Sequence, residues 1–142
     1  MWIAVHLIHI AAFLGCLTAS GLKLRVLTAV SLDGLTLAKL RRLDKISASS
    51  TGVIILTGAA MLAAQPGRSA HLLQFAFQFK LVLFVVASSL ILATKVFLRR
   101  SPGDLEDGSV PTPGWMRRAL LADFLSILII AGIGIAFAHG LI

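Results

Sequence analysis

The chain has 142 residues, of which 58% are hydrophobic and only 13% charged, with a net charge of +7 and a mean hydropathy of +0.95. Soluble domains run at roughly 45–50% apolar and about 25% charged residues, so a polar skin around a buried core is excluded. One cysteine, four prolines and no low-complexity run exclude disulfide scaffolds, collagen and disorder.

A bilayer core about 30 Å thick needs about 20 apolar residues in a helix. Four stretches meet this, at residues 2–22, 46–64, 72–98 and 119–139, each without period-2 alternation. The expectation is an all-α, integral membrane four-helix bundle in a single transmembrane domain, with residues 140–142 emerging. Between the first two spans, residues 23–45 are amphipathic and basic, with leucines at 24, 27, 32, 35, 37, 40 and 43, so the flanking helices are expected to extend beyond the bilayer. Ser31 or Asp33 is placed to cap the second helix. Pro66-Gly67 predicts a tight hairpin, and the Pro-rich segment 101–113, with Asp104, Glu106 and Asp107, predicts a solvated loop.

Lysine and arginine sort sharply by side. Lys23, Arg25, Lys39, Arg41, Arg42 and Lys45 fall before the second span, and Lys95, Arg99, Arg100, Arg117 and Arg118 around the loop before the fourth. The link between the second and third spans holds only Arg68. This bias places loops 23–45 and 99–118 in the cytoplasm and both termini outside. It also accounts for the net charge: basic residues at helix ends suit anionic headgroups. A nucleic-acid partner is not expected, because no basic surface interleaved with aromatics exists. Residues 1–5 lack the positive segment of a cleaved signal peptide. Trp2 and Trp115 fall at opposite interfaces, as aromatic-belt residues do.

Ionisable residues inside spans are costly and carry functional suspicion. Lys80 and Asp123 lie well inside, with His6, His9, His71 and His139 nearer the ends. His9 and Lys80 share a depth of roughly 12–14 Å below the outer boundary at 1.5 Å per residue. Asp123 lies close to the cytoplasmic side. At 100° per residue, Cys16, Ser20 and Lys23 share the face of His9, with His6 about 60° away. Ala76, Ala87, Ile91 and Thr94 share the face of Lys80, and Ile127, Ile130 and Gly134 that of Asp123. Imidazole is a common haem ligand and helix bundles commonly hold haem. The residues thus leave two readings open: a haem near the outer leaflet with His9 or His6 on its iron, or a hydrogen-bonded histidine pair. Asp123 and Arg25 are expected as buried structural charges, with Arg25, Lys95 or another basic helix-end residue as the partner of Asp123; a proton relay is the alternative role for Asp123. The small residues Ser47-Ala48-Ser49-Ser50-Thr51-Gly52 and Thr57-Gly58 predict a helix-packing face, and the lone Cys16 a small filler.

His9-Ile10, Leu24-Arg25, Arg41-Arg42-Leu43, Thr51-Gly52, Thr57-Gly58, Phe79-Lys80-Leu81-Val82-Leu83-Phe84 and Arg99-Arg100 together form a pattern. It resembles a family of small bacterial four-helix membrane proteins of unassigned function, over nearly the whole chain. That family is in turn similar to the HemJ-type protoporphyrinogen oxidases. The resemblance implies haem b as cofactor, His9 as ligand and Lys80 as the catalytic or propionate-pairing residue. The chain departs from the HemJ pattern by lacking its Trp-containing Gly-rich stretch and the further histidine that stands just after the segment matching Leu24-Arg25. The expectation is therefore a HemJ-like, haem-binding redox protein of the bacterial inner membrane. The competing expectations are an accessory subunit of a larger membrane complex or homo-oligomer, docked through the small-residue face, and a small transporter.

Overall fold

The structure is a computed structural model that describes residues 2–27, 31–64, 74–100 and 110–138. Four helices account for almost all of them: α1 Trp2–Val26, α2 Gly34–Ala64, α3 Phe75–Arg100 and α4 Gly114–Ala138. Each has a segment long and apolar enough to cross a membrane. This is a multi-pass membrane protein. The apolar side chains point outward as well as inward, with Ile3 77%, Leu56 72% and Phe75 80% exposed. Such a surface suits hydrocarbon and not water. The Pro66-Gly67 hairpin, the acidic loop, His71 and His139 lie outside the described residues.

In the bundle α1 packs chiefly on α2 and α3 on α4, while α2 with α3 and α1 with α4 close the ring. The inward residues recur in alternating steps of four and three on every helix. On α1 they are His9, Phe13, Cys16, Ser20 and Lys23, with Leu27 just past its end; on α2, Leu37, Leu40, Asp44, Ser47, Thr51, Ile54 and Gly58. On α3 they are Lys80, Phe84, Ala87, Ile91, Thr94 and Leu98; on α4, Met116, Leu120, Asp123, Ile127, Ile130 and Gly134. A 3.5-residue period is that of a left-handed, knobs-into-holes bundle. Because neighbouring helices run antiparallel, these positions stack in levels, and the chemistry changes from level to level.

Two helices begin earlier than hydropathy predicts, α2 at Gly34 instead of 46 and α4 at Gly114 instead of 119. The extra turns are amphipathic, so an apolarity window passes over them. They form because their few apolar residues find partners: Leu37 and Leu40 join Leu27, Leu98, Met116 and Leu120 in one buried cluster. With 31 residues, α2 is about 46 Å long at 1.5 Å per residue and exceeds a bilayer core of about 30 Å. Its first turns, with Lys39, Arg42 and Lys45 exposed, extend past the hydrocarbon at the basic end. There the Arg41 Nε donates to the Leu98 carbonyl at 3.0 Å, satisfying an orphan acceptor in the last turn of α3.

Of the two candidate caps, Asp33 is the one used: the Thr36 amide donates to its Oδ1 at 2.7 Å. The Thr36 hydroxyl and then its amide hold this exposed carboxyl below its ordinary pKa. A depressed pKa means the anion's contribution is complete above the unfolded pKa and fades as pH falls through the folded one. We expect Asp33→Ala to speed hydrogen exchange of the Thr36 amide at neutral pH. Acidification below the carboxylate range should do the same to the parent protein but not to Asp33→Asn. Equal acid sensitivity of Asp33→Asn would remove the carboxylate from the cap.

Ser31–Leu32 pairs antiparallel with Val110–Pro111, Ser31 opposite Pro111 and Leu32 opposite Val110. This short ladder ties the α1–α2 loop to the α3–α4 loop, so both lie at one end, as the basic residues require. Orientation itself is open to direct test. A membrane-impermeant thiol reagent added outside should label a cysteine placed at Gly67 and miss one at Gly108. Labelling of Gly108 from outside would reverse the topology.

Candidate functional site

Two polar levels stand out against the apolar interior, one near each end. At the terminal end, α1 brings His9 against α2. His9 Nδ1 lies 2.7 Å from the Thr57 hydroxyl, and the His9 Cε1 lies 3.5 Å from where a Cβ on Gly58 would stand. Thr57 has a single hydroxyl proton, which goes to the Val53 carbonyl at 2.6 Å. Its oxygen is then an acceptor, so Nδ1–H of the neutral imidazole is the donor and Nε2 keeps its lone pair. On the opposite side of the bundle the Lys80 Nζ lies 3.8 Å from the Cβ position of Gly134, in the space left by that missing side chain. The Lys80 charge reaches His9 electrostatically. The fold thus brings the expected pair to one level. His6 is exposed and its charge also reaches His9, whereas His9 is half-buried. Lys80 is half-buried and makes no ion pair among the described residues.

Below this level lie two apolar ones. Phe13, Ile54, Phe84 and Ile130 form the first, and Cys16, Thr51, Ala87 and Ile127 the second, all lining a cavity of about 10 Å³. That is room for one water molecule. Its polar lining includes the Cys16 thiol, 3.8 Å from the Thr51 hydroxyl, and Ser88, whose buried Oγ has no protein partner among the described residues.

The second polar site is deeper. Lys23, Asp44 and Asp123 are 0%, 3% and 1% exposed. Lys23 Nζ stands 3.7 Å from Asp44 Oδ1, and the Ser20 hydroxyl donates to Asp123 Oδ2 at 2.7 Å. Buried Ser47 and Thr94 complete the layer, the Thr94 hydroxyl donating to the Leu90 carbonyl. The leucine and methionine cluster around Leu40 closes it off from the basic end. Asp123 is buried as expected. Its expected partner Arg25 is not: Arg25 is exposed, because it stands two positions past Lys23 and so off the inward face. Ser20 and Lys23 take that place. Sequence reasoning counted Lys23 as a loop charge and passed over Asp44. The signal was present, since Leu37, Leu40, Asp44, Ser47 and Ile54 keep one heptad and an aspartate in such a seam is buried with it.

The small-residue face of α2 is also placed. A Cβ on Gly15 would stand 3.1 Å from the Ser50 Oγ, and Gly58 receives His9. These residues let α1 approach α2 within the chain. Among the described residues no three His, Cys, Asp or Glu side chains converge into a metal-ion group. No protein-family model, curated protein or solved structure matches the chain.

Proposed function

We propose that this membrane protein resides in the bacterial inner membrane and binds the anionic group of a membrane-soluble ligand at His9 and Lys80, in the outer half of the bundle. The observation that carries this reading is Lys80. An ammonium at that depth costs at least a few kcal/mol unless paired or hydrated, and among the described residues no carboxylate pairs with it. Asp123 lies at the level of Ile91, 11 residues from Lys80, or about 16 Å along the axis at 1.5 Å per residue. A carboxylate or phosphate brought by the ligand supplies the missing charge to Lys80, and the bare His9 Nε2 accepts a hydrogen bond from a hydroxyl beside that anionic group.

A HemJ-like haem b protein is the second reading, favoured by the His9 tautomer. An imidazole with Nδ1–H tied and Nε2 bare is arranged as metal-bound histidines are, and Lys80 suits a propionate. The packing does not fit a macrocycle between the helices. The cavity below His9 has room for only one water, and Gly58 is already in contact with the ring. We therefore derive no step through haem. The accessory-subunit reading rests on a small-residue face that serves α1 instead, and a transporter needs a wider passage than the bundle interior offers.

Purified protein, its absorption spectrum and mass spectrometry of co-purifying small molecules test these readings together. We expect a colourless protein carrying an anionic amphiphile that Lys80→Met loses and His9→Ala weakens. A Soret band lost in His9→Ala would install the haem reading. A colourless, ligand-free protein that co-purifies with larger partners would install the subunit.

A further inference from the structure

We propose that Asp123 is a proton-binding site, holding one proton at neutral pH beside the fixed Lys23–Asp44 ion pair. The inference is independent of the ligand site at the other end. Two carboxyl groups and one ammonium are enclosed together, each no more than 3% exposed. A fully ionised layer would bury a net negative charge in a low-dielectric interior, which is far costlier than a neutral acid.

The surrounding charges decide which carboxyl takes the proton. Lys23 from α1 touches Asp44 on α2, and Lys95 and Arg99 on α3 also attract Asp44. Asp123 on α4 feels the attraction of Lys23 and the repulsion of Asp44, and its charge also reaches the Cys16 thiol on α1. Three cations therefore favour the Asp44 anion, while only Lys23, already paired, favours that of Asp123. Asp123 Oδ2 accepts from Ser20, while among the described residues its Oδ1 and the Ser47 Oγ are buried with no hydrogen-bond partner. Asp44 Oδ1 and Lys23 Nζ also lack a hydrogen-bond partner there, but they face each other as an ion pair at 3.7 Å, a cation that Asp123 does not have. A proton on Oδ1 converts an unpaired anionic acceptor into a neutral hydroxyl donor; its release returns the carboxylate and passes the proton to water. The occupant is a proton and not a metal cation, because among the described residues no three His, Cys, Asp or Glu side chains converge there to ligate one.

Infrared difference spectroscopy of the full-length protein in lipid nanodiscs tests this. Subtracting Asp123→Asn from the parent at neutral pH should leave a protonated-carboxyl C=O band that shifts in deuterated water. Asp33→Asn, at the exposed cap, should leave that band in place. Loss of carboxylate bands in place of the C=O band would show Asp123 ionised and overturn the proposal. If sodium then stabilised the parent but not Asp123→Asn, a cation site would replace it. Should Asp123→Asn not fold, Ser20→Ala removes the hydroxyl on Oδ2 and is expected to shift the same band. An unmoved band would overturn the assignment to Asp123.

Discussion

Lys23→Met should destabilise the protein by about 3–5 kcal/mol, because it leaves Asp44 buried without its nearest cation. Asp44→Leu should cost a similar amount by stranding Lys23. Both groups lie inside the bundle, Lys23 at 0% and Asp44 at 3% exposed, and 3.7 Å separates their charged atoms. A buried pair broken on one side loses more than the pair itself contributes. The double variant Lys23→Met/Asp44→Leu should therefore recover much of the loss, since two apolar side chains of similar size suit the layer better than either lone charge. Unfolding in mixed micelles, read as a double-mutant cycle, measures the coupling. Strictly additive losses would show that the two charges do not depend on each other.

Leu40→Ala should cost about 2–5 kcal/mol, the range for a large aliphatic side chain removed from a packed core. Leu40 is fully buried, and Leu27, Leu37, Leu98, Met116 and Leu120 surround it. Its effect should extend beyond stability. The cluster closes the basic end just below the Lys23–Asp44 level, so a cavity there admits water towards the ion pair. Amide exchange in α2 between Leu40 and Ser47 should quicken in Leu40→Ala, while Leu40→Met, which nearly conserves volume, costs under about 1.5 kcal/mol and leaves exchange unchanged. Equal exchange in all three proteins would show that the cluster packs without sealing.

The two predictions concern the same end of the molecule, and the contrast with the other end is chemical. At the His9 level both His9 and Lys80 are half-buried, and Lys80 makes no ion pair among the described residues. The Asp123 level is fully buried and encloses two carboxyl groups with one ammonium. Between them lie two apolar levels and a cavity with room for a single water. Polar groups thus occur at discrete heights in the bundle, an arrangement that suits binding at each height more than a continuous path through it.

Much of this was legible in the sequence, for identifiable reasons. Four spans follow from hydropathy because a bilayer demands about 20 apolar residues and little else. That His9, Cys16, Ser20 and Lys23 share a face, as do Lys80, Ala87, Ile91 and Thr94, follows from helical geometry, since 100° per residue needs no partner to be true. The residues beyond the spans were different. In segment 34–45 the Asp33 cap and the recurring leucines already point to a helix extending past the bilayer, but only packing shows that Leu37 and Leu40 meet Leu27, Leu98, Met116 and Leu120. Arg25 and Lys23 are equivalent in a count of charges, but helix phase sends one outward and buries the other against Asp44. Depth and facing belong to one helix and can be read from the chain alone. The partner of a buried charge belongs to two, and packing decides it, because a buried charge must find an opposite charge or a hydrogen-bond donor on a neighbouring helix, as Lys23 finds Asp44 and Asp123 finds Ser20.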